Sequence, residues 1–355
     1  MHNPLERRPT NSSSASRKRW LWIALGTVLS CLSVTGCDYL SPKPSISPAE
    51  APGRKSRRFP EFVAVVAGPQ DSLSSLAGEY LGDSSLAWFI ADVNGVTQVA
   101  PGMDLIIPLK PYDRGGLAPE GLQTVPVLCY HKFSETDVDR MTLSRRAFEE
   151  QMRFLKDRGY RVIRLDQLLD FMEFKTQIPK KSVVITIDDG WRSTYDIAYP
   201  ILKQYEYPAT LFVYTDLIVG GSNTLNWDHV REMSRNGMDV QAHSKTHRDL
   251  TKNLNRESFK EYFEAIKSEL ADSAVIIQNN TDKKPTYFAY PYGETSSLIV
   301  AIARKVGYRG AFTVERGGNP FFTDVYRIRR SMIYGAFSLQ DFERNLKTFT
   351  ALSLR

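Results

Sequence analysis

Two adjacent carboxylates close an apolar run at residues 183–191, Val-Val-Ile-Thr-Ile-Asp-Asp-Gly-Trp, so Asp188 and Asp189 stand where a buried strand stops. Asp-Gly is also a common turn signal, and the pair alone would equally read as the solvated start of a loop. His243 and His247 sit four apart in "QAHSKTH", a spacing that brings two imidazoles onto one side of a helical turn or compact loop. Such a pair suits a transition metal, with one carboxylate completing a three-ligand site that keeps a position open for water. Two ordinary loop histidines would look the same in isolation. His131 ends the apolar run "VPVLCYH", and Tyr290 to Tyr292 of "YPYG" follow another strand-like stretch.

These residues need elements to position them, and residues 124–355 alternate strand-like and helix-like segments. Strands are predicted over 125–130, 161–165, 183–187, 210–214, 239–242, 286–290 and 310–314. A helix is predicted over 145–158, with Phe148, Met152 and Leu155 on one stripe. This alternation implies parallel strands joined by helices, hence a βα barrel or a doubly wound sheet of the α/β class. In βα barrels the working residues gather at the carboxyl ends of strands. That rule selects His131, Asp188, Asp189, Asp216, His243 and the Tyr290–Tyr292 segment. His229, in "NWDHVREM", reads as a helix-surface residue. Trp191 and Trp227 read either as platforms for sugar rings or as core aromatics.

The formal charge of +6 is a terminal feature. Residues 1–58 hold 10 Lys/Arg and 3 Asp/Glu of the chain's 46 and 40, which leaves 36 against 37 for the rest. The body therefore offers no electrostatic case for nucleic acid. Arg17-Lys18-Arg19 precede a largely apolar stretch of 15 residues, Trp20 to Val34, short of the roughly 20 needed to cross a bilayer and suited to a secretory signal. An uncleaved anchor helix is the alternative. Val34-Thr35-Gly36-Cys37 resembles a bacterial lipobox, which implies a signal peptide over 1–36 and lipidation of Cys37. Of the other cysteines, Cys31 would leave with the signal and Cys129 reads as a buried inert thiol, so no intramolecular disulfide is expected. Residues 37–60, rich in Pro, Ser and basic residues, read as a disordered tether.

Residues 61–109 form a compact βααβ pattern. A strand at 62–66 leads through Gly68-Pro69 to Asp71-Ser72 as a helix cap, a second helix covers about 84–93, and Asn94-Gly95 and Pro101-Gly102 precede a closing strand at 105–107. The order and motifs resemble the LysM domain, a binder of N-acetylglucosamine-containing glycans. The resemblance implies contacts from the loops holding Gly68, Asp71 and Ser72 and, at the other end, Asn94 and Gly95. A linker over 110–123 leads to the final domain.

That domain carries "TIDDG" at 186–190, "HSKTH" at 243–247 and "YPYG" at 290–293. In order and approximate spacing these resemble the motifs of the NodB-homology polysaccharide deacetylases. "PVLCYHKF" and "FAYPYG" look similar to exported poly-N-acetylglucosamine deacetylases. The resemblance implies a distorted (β/α) barrel, with Asp188 as general base. Asp189, His243 and His247 would hold a divalent metal, most often Zn²⁺; the Tyr292 backbone N–H would serve the oxyanion and His131 would be the acid. Two departures stand out: the third motif usually carries an arginine where this chain has Ala289, for which Arg192, Arg329 or Arg330 could substitute, and the late Leu-x-His is absent. The expectation is a lipid-anchored, exported N-deacetylase of an N-acetylglucosamine polysaccharide, monomeric, with its catalytic domain in the periplasm or wall space. A catalytically silent glycan-binding lipoprotein is the alternative.

Overall fold

The computed structural model describes residues 54–109, 115–136, 138–254 and 256–352. The expected signal segment, Cys37 and the tether up to residue 53 lie outside the described residues, as do 110–114 of the linker.

The first module contains β1 (Ser56–Arg58), β2 (Phe62–Val66), α1 (Leu73–Leu81), α2 (Ala87–Asn94) and β3 (Asp104–Pro108), with an antiparallel sheet in the order β1-β2-β3. Alternate residues of β2 and β3, Val63, Val65, Leu105 and Ile107, face Leu76, Ala77 and Ile90 from the helices in one small core. β1 corrects the expectation of disorder through residue 60. Edge pairing needs backbone groups rather than apolar periodicity, and Arg57 pairs with Ala64 on the open side of β2. Arg54, read as part of the tether, is tied by ion pairs to Asp71 and Glu79.

The residues assigned to glycan loops in this module have local duties. Asp71 accepts the Gly68 N–H at 2.7 Å. Ser72 caps α1 in a reciprocal box with Ser75. The Asn94 amide bonds Ile90 O, Ile106 O and Ile106 N–H, tying the end of α2 to β3, and Gly95 ends that helix in the left-handed conformation at φ 65°.

The second module is built on β4 (Val125–Tyr130), β5 (Ser182–Asp189), β6 (Thr210–Val213), β7 (Asp239–Ala242), β8 (Tyr287–Ala289), β9 (Gly310–Phe312) and β10 (Ser331–Met332). These run parallel in the spatial order β9-β8-β7-β6-β5-β4-β10. Helices α3 (Arg145–Asp157), α4 (Leu165–Met172), α5 (Tyr199–Gln204), α6 (Trp227–Arg235), α7 (Phe259–Thr281) and α8 (Ser297–Val306) intervene along the chain. Burial on both faces explains the continuous β-branched run of β5, in which every residue from Ser182 to Asp188 is buried. Ile328 makes a parallel bridge to Phe312 of β9, while Ser331 and Met332 pair with Leu128 and Cys129 of β4. One short segment thus reaches both ends of the curled sheet, and the α/β fold is a half-closed, distorted barrel.

The strand expected over 161–165 is only Arg161–Val162. The chain turns at Ile163, and Arg164 accepts the role of cap for α4, whose Leu165, Leu168, Leu169 and Met172 sit at helical spacing in the core. Helical periodicity there overrides the β-branched start. Among the described residues no helix is long and apolar enough to cross a membrane.

Candidate active site

The carboxyl ends of β4, β5, β7 and β8 converge on one cleft of 410 Å³. It is lined by His131, Asp188, Asp189, His243, His247 and Tyr292, with Arg140, Met141, Tyr290, Val314, Met332 and Tyr334 completing the walls. The six catalytic and metal positions selected from the sequence are therefore brought together.

Asp189 leaves β5 with φ 80°. Its Oδ1 lies 3.7 Å from His243 Nε2 and 3.5 Å from His247 Nε2. Two ligands about 2.0–2.1 Å from a tetrahedral cation would stand roughly 3.3–3.4 Å apart, so the separations fit. Oδ1 is buried and has no hydrogen-bond partner, which a polar atom tolerates poorly without a cation. The other oxygen, Oδ2, accepts the indole N–H of Trp191 at 2.8 Å. The Lys132 ammonium sits 3.8 Å from the centre of the same indole.

His243 Nδ1 lies 2.8 Å from Ala289 O. A carbonyl only accepts, so the proton resides on Nδ1 and the Nε2 lone pair faces Asp189. Burial pushes the His243 imidazole well below its ordinary pKa against the pull of Asp188, favouring the neutral ligand form. The His243, His247 and Asp189 ligand atoms all lie within 4.8 Å of one another. This donor set, with its orphaned oxygen, fits a divalent cation.

Asp188 points the other way. It is 1 % exposed, and its two oxygens accept Arg330 Nη1–H at 2.7 Å and Nη2–H at 2.8 Å. Arg330 also donates to Thr313 O and lies over Phe212. Burial by itself would raise the Asp188 carboxyl. The Arg330 guanidinium outweighs it, aided by His243 and His131, and holds the carboxyl well below the usual range. Cys129 Sγ–H donates to Asp188 Oδ2 at 3.4 Å; the thiol is buried, as expected, and burial pushes its pKa well up. His131, Cys129 and Asp188 offer polar atoms within 4.8 Å of one another. Burial lowers the His131 pKa while the charges of Asp188 and Asp189 oppose that shift.

Arg330 resolves the departure at Ala289, since it delivers a guanidinium to Asp188 from the start of β10. Arg192 instead pairs with Asp196 at 3.0 Å and Arg329 with Glu315 at 3.3 Å. Trp191 donates its indole N–H to Asp189, and Trp227 packs against the core. His229 lies in the first turn of α6, partly exposed, and accepts the N–H of the cap residue Asn226 through Nδ1 at 3.2 Å. Asp216 acts through its backbone, whose N–H donates to Lys245 O at 2.9 Å.

The backbone is held under strain where it meets the cleft. Asp189, Ser244, His247 and Tyr292 all have φ between 60° and 80°, at a cost of about 1–3 kcal/mol each. Two motif glycines are required by the same geometry. A Cβ on Gly190, at φ 117°, would stand 2.4 Å from Ile218 Cδ1, and one on Gly293, at φ 76°, would stand 2.5 Å from Val314 N.

The cleft thus sets a buried, arginine-paired carboxylate beside three side chains whose ligand atoms are close enough to share one cation. The family profile described as polysaccharide deacetylase matches residues 175–311. Over 210 residues the chain is 30 % identical to a poly-β-1,6-N-acetyl-D-glucosamine N-deacetylase of Staphylococcus aureus, covering 58 % of this chain and 72 % of that protein. Among solved structures, the deacetylase PplD of Streptococcus pyogenes, in complex with acetate, superposes with a TM-score of 0.57 at 24 % identity, over 64 % of this chain and 99 % of that one. IcaB from Ammonifex degensii gives 0.56 at 24 %, over 63 % and 97 %. The chain belongs to the polysaccharide deacetylase family and is an enzyme, a hydrolase acting on carbon–nitrogen bonds.

Proposed function

We propose that this enzyme removes N-acetyl groups from an N-acetylglucosamine-containing polysaccharide at the bacterial cell envelope, using a divalent metal, with Zn²⁺ the expected ion. The observation that carries the reading is the division of labour at the end of β5. One carboxylate is bidentate with Arg330, and its neighbour offers an unpartnered oxygen to two imidazoles. The Staphylococcus aureus relative supports the substrate class by its name.

Asp189, His243 and His247 would hold the cation, which when bound polarises a carbonyl and lowers the pKa of water to about 7. Asp188, kept ionised by Arg330, takes the proton of the attacking water. His131, at the end of the strand beside that of Asp188, gives a proton to the departing amine, and the Tyr292 backbone N–H serves the developing oxyanion. Water adds to the acetamide carbon, the C–N bond breaks, and acetate and a free amine result.

The N-terminal βααβ module is assigned as a LysM-type glycan binder, and residues 1–37 as a lipoprotein signal and anchor that place the catalytic domain outside the cytoplasm. Peptidoglycan and exopolysaccharides are both candidate substrates. Ala289 was the feature favouring a silent binder, and Arg330 answers it by supplying the guanidinium. The deciding experiment is acetate release from poly-N-acetylglucosamine, peptidoglycan and their oligomers with added Zn²⁺ or Co²⁺. Metal-loaded protein that releases no acetate from any of them would sink the proposal.

A further inference from the structure

A buried carboxylate outside every motif described above faces the metal-binding loop. Glu269 lies along α7 on the buried stripe of Ile266, Leu270, Ser273 and Ile277, and is only 6 % exposed. Its Oε2 accepts both the Lys245 and Thr246 backbone N–H groups at 2.9 Å, and its Oε1 accepts the Thr246 hydroxyl at 2.6 Å. Those donors belong to the three residues that separate His243 from His247.

That bridge cannot satisfy itself as a helix or strand, because Ser244 and His247 are both left-handed, at φ 72° and 65°. Its carbonyls are taken by a neighbouring turn, where Thr215 N–H reaches Ser244 O at 3.2 Å and Asp216 N–H reaches Lys245 O at 2.9 Å. The Ser244 hydroxyl oxygen accepts His247 N–H at 2.9 Å. Glu269 therefore supplies the acceptors for the face of the loop that looks onto α7. A carboxylate among apolar neighbours carries a desolvation cost that only such donors offset. Removing it takes the acceptor from two part-buried N–H groups and frees the loop to relax its positive φ angles.

We propose that Glu269 is a positioning residue for the metal: by holding Lys245 and Thr246 it fixes the spacing and orientation of His243 and His247, and so sets the affinity of the site. The inference rests on the metal role proposed for those histidines. Charge-assisted bonds from one rigid helix hold a loop more tightly than water could.

The test uses the full chain as wild type, Glu269→Gln, Glu269→Ala and Thr246→Val. Zn²⁺ affinity is measured by chelator competition, the Co²⁺ absorption spectrum reports ligand geometry, and the thermal midpoint of the metal-free protein reports the fold. Glu269→Ala is expected to weaken metal binding about 10–100-fold, as losing an outer partner of a ligand typically does. Glu269→Gln should weaken it less, because the amide oxygen still accepts the N–H groups, and Thr246→Val least. At saturating metal, kcat of Glu269→Gln should approach the wild-type value while the metal concentration needed rises. Wild-type affinity and an unchanged Co²⁺ spectrum in folded Glu269→Ala would overturn the proposal, and if that variant does not fold, the same result in Glu269→Gln would do so. A wild-type protein that binds no divalent cation would instead remove the metal chemistry of the proposed function, and this inference with it.

Discussion

Arg330 and Asp188 lie 142 residues apart in sequence and are joined by two parallel hydrogen bonds of 2.7 and 2.8 Å, with Arg330 wholly buried and Asp188 open only to the cleft. A buried pair of this kind contributes less through net attraction than through what its disruption costs, because the survivor is left charged and dry. Arg330→Met should therefore destabilise the fold by about 3–5 kcal/mol. Arg330→Lys should lose the two-pronged geometry even where the charge survives. Denaturant unfolding measures the first effect and acetate release the second. An Arg330→Lys variant with full turnover would show that charge alone suffices.

The pair also sets a pH dependence. Arg330 depresses the Asp188 carboxyl, so the pair's contribution to stability is present above the unfolded aspartate pKa of about 4 and is lost as pH falls through the lower folded value. The base must be ionised to act. In an Arg330 variant its pKa rises, and the acid limb of kcat/KM should move to higher pH. An acid limb that stays in place would assign it to another group.

The two acids of β5 should separate by experiment. Asp188→Asn keeps the donors of the triad and should retain metal while losing turnover by about 10²–10⁴-fold. Asp189→Asn should weaken metal binding itself, since its Oδ1 is the atom facing both imidazoles. Metal content after dialysis and acetate release distinguish the two, and equal metal loss would contradict the assignment.

In the proposed mechanism His131 gives its proton to the departing amine, so activity should fall as pH rises through its pKa. Burial places that pKa below the ordinary imidazole value, against the opposing pull of Asp188. The alkaline limb of kcat/KM should lie correspondingly low. His131→Ala should lose about 10²–10⁴-fold in rate together with that limb. A variant that keeps the limb would clear His131 of the acid role.

Trp191→Phe removes one donor and leaves an aromatic ring. Without the indole N–H, the Asp189 carboxylate is free to rotate and should hold metal less well, with the glycan KM changed little. A large KM effect with unchanged metal affinity would instead make the ring a sugar platform.

Much of this arrangement was legible in the sequence, because the carboxyl-end rule and continuous apolar runs act locally. The strands ending at His131, Asp189, His243 and Tyr290 follow from apolar runs that stop abruptly at polar groups. The tether boundary was misplaced because β1 is held by backbone pairing and by ion pairs of Arg54, neither of which leaves an apolar pattern. Arg330 could be named only as one of three arginines, since its choice depends on β10 returning beside β4. Glu269 did leave a trace, a lone acid on the buried stripe of α7, but its reason lies in a loop more than twenty residues earlier.

The segment from Ile328 to Met332 touches both margins of the curled sheet and brings in Arg330 as it does so. During synthesis the Asp188 carboxylate emerges long before its counter-charge. Packing β5 into a dry interior at that stage is unfavourable by several kcal/mol. The closing strand thus ties the two margins of the sheet and neutralises the charge of its most buried carboxylate through one five-residue segment.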